Sequence, residues 1–114
     1  IRVQLRDKLP QEQFLTLGNI KIDTFTRTIF QKEKQIDLTQ KEYDLFEFLV
    51  LNKGKVATRN RIFEYVWDIN FETDTSVIDV YINFLRKKIN LNANQQQIRT
   101  IRGVGYLAEE NLES

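Results

Sequence analysis

The sequence predicts an α+β fold, with short antiparallel strands first, three amphipathic helices next and a β-hairpin last. Three observations carry this. Apolar residues come in short broken runs over 17–38, they then recur at helical spacing over 40–89, and Gly103-Val104-Gly105 closes a β-branched stretch near the end. With 114 residues, 41% of them hydrophobic and 29% charged, the chain suits one domain with one core.

Residues 1–13 are polar and charged and hold the only proline, Pro10, which would end any helix running through Ile1-Arg2-Val3-Gln4-Leu5-Arg6. They read as a linker. Leu17, Ile20 and Ile22, then Phe25, Ile29 and Phe30, then Ile36 and Leu38 form three runs separated by polar residues, hence three short strands. Thr39-Gln40-Lys41-Glu42 is a capping box, and Tyr43, Leu45, Phe46, Leu49 and Val50 follow at helical spacing, so a first helix is predicted over 40–52. Asn52-Lys53-Gly54 stops it and Lys55-Val56-Ala57 is a short extended link. Thr58 caps a second helix that turns Ile62, Phe63, Val66 and Trp67 inward, although Arg61 stands where a full capping box needs Glu or Gln. The acidic stretch Asp68-Ile69-Asn70-Phe71-Glu72-Thr73-Asp74 is a loop leading to a third helix over 75–90.

On that third helix Ile78, Ile82, Leu85 and Ile89 cluster in one narrow stripe, the core face. Ser76, Val80, Asn83 and Lys87 fall opposite, with Val77 and Phe84 on their flank and Tyr81 at the edge of the core stripe. Apolar residues thus stand where water is expected. After the helix, the two glycines make a tight hairpin turn by entering φ > 0 without steric cost, and Arg102 projects from its tip.

The composition excludes several kinds of chemistry. Zero Cys and zero His leave no disulfide, no thiolate and only scattered carboxylates as metal ligands. No paired carboxylates, no nucleophile with a base and no phosphate-cradling glycine loop stand out, so neither an enzyme nor a cofactor or metal site is expected. No apolar stretch approaches the ~18 residues of a membrane span and no leader opens the chain, so a cytoplasmic protein is expected. Because the chain has no Met, it is expected to continue upstream of Ile1.

A formal net charge of +1 conceals an uneven distribution. Between Arg86 and Tyr106 lie five cations, Arg86, Lys87, Lys88, Arg99 and Arg102, and no carboxylate, while Glu109, Glu110 and Glu113 crowd the end. A local basic surface binds phosphates despite overall neutrality. A helix in the major groove reads base edges with amides such as Asn83, meets thymine methyls with apolar side chains and holds phosphates with Lys87. A basic hairpin beside it can enter the neighbouring minor groove. The same apolar face, Val77, Val80 and Phe84, also allows a different reading, a protein-interaction module.

Four motifs in order carry a resemblance: Leu38-Thr39-Gln40-Lys41-Glu42-Tyr43-Asp44-Leu45-Phe46, then Val66-Trp67, then Val77 to Ile89, then Ile98-Arg99-Thr100-Ile101-Arg102-Gly103-Val104-Gly105-Tyr106. Over 17–108 the chain resembles the winged-helix effector domain of OmpR/PhoB-type response regulators, and Ile1 to Arg6 resembles the end of a receiver domain. The resemblance implies a domain over 14–108 with an acidic tail after it, a four-stranded N-terminal sheet, the third helix in the major groove of double-stranded DNA and the hairpin wing along the minor groove. It implies phosphate contacts at Arg59 and Trp67, a recognition surface of Ser76, Val77, Val80, Tyr81, Asn83 and Phe84, and wing contacts at Thr100 and Arg102. The loop Asp68 to Asp74 matches the segment that engages RNA polymerase. Further implied are an upstream receiver phosphorylated by a histidine kinase, dimerisation on direct repeats of DNA, and a monomer for the domain alone. Many relatives carry Arg-Thr in place of Ser76-Val77, His in place of Tyr81 and cations near Asn83 and Phe84, so the present helix implies fewer charged base contacts. Abundant Ile, Asn and Lys suit an AT-rich genome, bacterial or plastid.

Overall fold

The computed structural model describes residues 13–67, 76–89 and 96–110. Among them, β1 (Phe14–Leu17), β2 (Ile20–Asp23), β3 (Thr28–Gln31) and β4 (Lys34–Ile36) form an antiparallel meander in chain order. Periodicity alone predicts three strands here, and the structure has four. Gly18, at φ 62°, turns the chain inside the first apolar run, so that Leu17 pairs with Ile20 across a two-residue loop. Ile20-Lys21-Ile22-Asp23 does alternate, but Leu17 ends one strand and Ile20 begins the next, so grouping the three apolar residues as one run hides the boundary. Phe25, expected in a strand, lies instead in the β2–β3 turn and is 70% exposed. Asp23 organises that turn by accepting the N–H groups of Phe25 and Thr26 at 3.0 and 3.3 Å.

Helix α1 (Gln40–Leu51) begins as the capping box dictates. Thr39 Oγ1 accepts the Glu42 N–H at 3.3 Å and Glu42 Oε1 accepts the Thr39 N–H at 2.9 Å. A two-residue strand, β5 (Ala57–Thr58), leads into α2 (Arg59–Trp67), where Thr58 Oγ1 accepts the Arg61 N–H at 3.3 Å. Helix α3 (Ser76–Lys88) follows, and then the hairpin β6 (Gln96–Ile101) and β7 (Gly105–Glu110), which recruits β5 to make a sheet of order β5-β7-β6.

The two turn glycines have different duties. Gly103 sits at φ 75° inside a turn closed by the Val104 N–H to Ile101 carbonyl bond of 2.9 Å. Gly105 is not in the left-handed region: a Cβ there would lie 2.0 Å from the Ala57 carbonyl oxygen, so β5 can pair with β7 only over a glycine. Strand β7 also continues through Glu109 and Glu110. The Glu110 carboxylate meets Lys53 Nζ at 2.7 Å and the Gly18 N–H at 2.9 Å, joining the hairpin to the end of α1 and to the meander.

One core runs through all of this. Leu17, Ile20, Ile22 and Ile29 from the meander, Leu45, Phe46 and Leu49 from α1, Ile62 and Val66 from α2, and Ile78, Ile82 and Leu85 from α3 are buried together with Ile89, Ile98, Tyr106 and Ala108.

Candidate nucleic-acid interface

The core stripe predicted for α3 decides its outward face. Ile78, Ile82, Leu85 and Ile89 are each 0% exposed, so the positions half a turn away must meet solvent. Ser76, Val80, Asn83, Phe84 and Lys87 are exposed, Val77 and Tyr81 half-buried. Tyr81 lies edge-on between two other rings, Trp67 at 5.4 Å and Phe84 at 5.5 Å. Trp67 in turn stacks on the buried Phe63 at 5.4 Å and carries Lys41 Nζ over its ring at 5.9 Å. It is thus half-buried, not fully inward as the spacing of α2 suggests.

Arg59, at the first position of α2, holds Asp79 of α3 in a two-pronged pair, with Nη1 to Oδ1 at 2.9 Å and Nη2 to Oδ2 at 3.2 Å. The Tyr106 hydroxyl of β7 donates to the same Asp79 Oδ1. Hydrogen bonding from Arg59 is the main reason the Asp79 carboxyl is held below its usual range, against the opposing effect of burial. Arg59 is correspondingly raised by Asp79, and burial followed by the Asp79 contact pushes Tyr106 up. The backbone N–H of Arg59 also donates to the Val104 carbonyl in the hairpin turn at 3.1 Å. Three elements therefore meet at one ion pair.

A second tie joins helix and hairpin. Arg86 Nη2 donates to the Ile98 carbonyl at 2.6 Å and to Thr100 Oγ1 at 3.1 Å. At the other side of α3, Lys88 pairs at 2.8 Å with the buried Glu42, whose carboxyl is lowered: burial would raise it, but Lys88 and the Thr39 N–H prevail. Arg99 lies 3.5 Å from Glu109. Of the five cations between Arg86 and Tyr106, three are thus engaged within the fold. Lys87 and Arg102 are exposed and have no ion-pair partner among the described residues.

Of the expected surface residues, Ser76, Val80, Asn83, Phe84 and Lys87 lie on the outer side of α3, Val77 and Tyr81 pack partly against the core, and Thr100 and Arg102 are exposed on the hairpin, Thr100 bonded to Arg86. Arg59 is bonded inward to Asp79. The expected polymerase loop, 68–74, and residues 1–12 lie outside the described residues. Sequence reading missed the Arg59, Asp79, Tyr106 and Arg86 ties. No local signal marks them: Asp79, the sole carboxylate of α3, stands in the first turn, where an acid already suits the helix dipole. Among the described residues there is no cluster of potential metal ligands, and no helix is long and apolar enough to cross a membrane.

Residues 33–108 match the family model described as transcriptional regulatory protein, C terminal. Response regulator ArlR of Staphylococcus haemolyticus is 38% identical over 107 residues, a match covering 94% of this chain and 48% of ArlR. Response regulator DrrB, described as a Thermotoga maritima OmpR/PhoB homolog, superimposes with a TM-score of 0.73 at 36% identity, over 93% of this chain and 47% of DrrB. The RstA DNA-binding domain of Klebsiella pneumoniae, solved in complex with the RstA box, superimposes with a TM-score of 0.74 at 25% identity, over 84% of this chain and 96% of that domain. The chain spans about half the length of ArlR and of DrrB. Its meander, its helices and its tethered hairpin stand in winged-helix order, and the chain belongs to the transcriptional regulatory protein C-terminal family, the effector domains of OmpR/PhoB-type response regulators.

Proposed function

We propose that this domain binds double-stranded DNA in a sequence-specific manner and thereby controls transcription as the output half of a cytoplasmic two-component response regulator. Helix α3 enters the major groove, and the β6–β7 wing follows the minor groove with Arg102 at its tip. The observation that carries this reading is the state of the charges. The one carboxylate of α3 is neutralised internally by Arg59, while Lys87 and Arg102 stay exposed with no ion-pair partner among the described residues. Along the described length of α3 an anionic ligand therefore meets an exposed cation and no unpaired acid.

Ser76, Val77, Val80, Tyr81, Asn83 and Phe84 face base edges, Lys87 and Trp67 stand at backbone phosphates, Arg59 serves by neutralising Asp79 beside them, and Thr100 and Arg102 serve the wing. The loop 68–74 is the surface for RNA polymerase, and an upstream receiver, phosphorylated by a histidine kinase, brings two copies onto direct repeats about one helical turn apart. Alone the domain is a monomer of modest affinity, because tethering two sites raises effective concentration into the ~mM range.

Arg102→Ala is expected to weaken binding and to flatten the slope of log K against log salt by ~0.9, the loss of one phosphate contact. Unchanged affinity and slope would remove the wing from the mechanism. Asn83→Ala is expected instead to lose about 1–3 kcal/mol of discrimination at one base pair, measured by binding to a set of single-base substitutions. An apolar protein interface on Val77, Val80 and Phe84 would persist in added salt, so the same titration separates the two readings.

A further inference from the structure

Helix α3 offers bases an apolar pair in place of a charged one, and the ring of that pair is packed against its neighbours. Val80 and Phe84 are 47% and 40% exposed and lie one helical turn apart on the outer face. Four residues of helix rise about 6 Å, close to the spacing of two stacked base steps at roughly 3.4 Å each. Phe84 is not a loose side chain. Its ring rests edge-on against Tyr81, Tyr81 against Trp67, and Trp67 on the buried Phe63, a column of four rings running from the core to the surface. A side chain fixed before contact loses little rotamer freedom on docking. Asn83 is exposed beside this pair. The one arginine of α3, Arg86, is bonded to Ile98 and Thr100 of β6, so no arginine on the outer face is placed to fork onto guanine O6 and N7.

Resting on the DNA-binding reading above, we infer that α3 recognises A·T pairs, with Val80 and Phe84 seated on thymine 5-methyl groups and Asn83 paired to the N6 and N7 edge of an adjacent adenine. The methyl group is the one apolar feature of the major-groove edge, and the amide of asparagine matches adenine in both donor and acceptor. A helix that carries two exposed apolar contacts, one of them a packed ring, and an exposed amide thus selects short A·T steps. Each buried methyl is expected to contribute about fourfold in affinity, and two together roughly fifteenfold.

The test uses the 114-residue chain and two random duplex libraries, one containing thymine and one containing uracil in its place, which differ only in the 5-methyl group. The thymine library is expected to yield a motif with adjacent A·T pairs. The best duplex from it, remade with uracil at those pairs, is expected to bind more than about tenfold more weakly. Phe84→Ala and Val80→Ala should each bind the thymine duplex more weakly and each reduce the difference between thymine and uracil to about fourfold, the double variant losing most of it, with circular dichroism confirming that they remain folded. Equal binding of the thymine and uracil duplexes, or a motif of G·C pairs under α3, would overturn this inference and leave DNA binding standing. Absence of any salt-sensitive binding to either library would overturn both.

Discussion

Asp79 is a carboxylate on a helix proposed to face a polyanion, and it is tolerable there only because Arg59 neutralises it. Its folded pKa is depressed, chiefly by the Arg59 hydrogen bonds. A depressed acid contributes stability that is present above its unfolded pKa, about 3.9, and that is lost as pH falls through the folded value. Asp79→Asn is therefore expected to cost about 1 kcal/mol at pH 7, a figure kept small because the pair is partly exposed. Urea unfolding of both proteins at pH 7 and again near pH 2 checks this. The gap should close at the acid end, and a gap of constant size would mean that the ion pair is not its source. Residues on the outer side of α3 were legible in the sequence because a buried stripe of Ile78, Ile82, Leu85 and Ile89 leaves no choice about what lies opposite. The Arg59–Asp79 pair was not. Its members are 20 residues apart, and nothing local says that the start of α2 will cross that turn of α3.

At the scale of elements, the hairpin depends on its two glycines in unequal ways. Gly103 needs a positive φ but has open space around it, so Gly103→Ala should cost about 1–2 kcal/mol of left-handed strain. Gly105 has an ordinary φ but no space at all, since β5 backbone occupies the place of a side chain. Gly105→Ala should therefore cost about 3 kcal/mol or more and detach β5 from β7. Thermal unfolding of the two variants checks the order, which reverses if turn conformation is the stricter demand. Helix α1 was legible in full, because a capping box is a local device that works wherever the chain goes. The meander was less so, being four strands where apolar runs suggested three, because the two-residue turns after β1 and β3 leave little polar sequence to mark a boundary and the four-residue turn after β2 carries the apolar Phe25.

For the whole molecule, one buried cluster draws on the meander, every described helix and the hairpin. Glu110 adds a polar link among the same parts through Lys53 and Gly18, and its carboxyl is lowered because those contacts outweigh the cost of its burial. With no separate core among the described residues to melt alone, unfolding should be two-state. Far-ultraviolet circular dichroism and the fluorescence of Trp67, the only tryptophan, should give coincident transitions in urea. Two resolved transitions would mean that the meander is an independent unit. The sequence by itself determined the element types, the cap of α1, the two faces of α3 and the arginine at the hairpin tip, since each follows from periodicity or turn chemistry within a few residues. Only the tertiary structure decided which cations remain exposed without an ion-pair partner among the described residues, why Gly105 must be glycine and how α3 is tied to the wing. Those depend on contacts between elements distant in the chain, and a charge is available to a ligand only after the fold has taken the partners it needs.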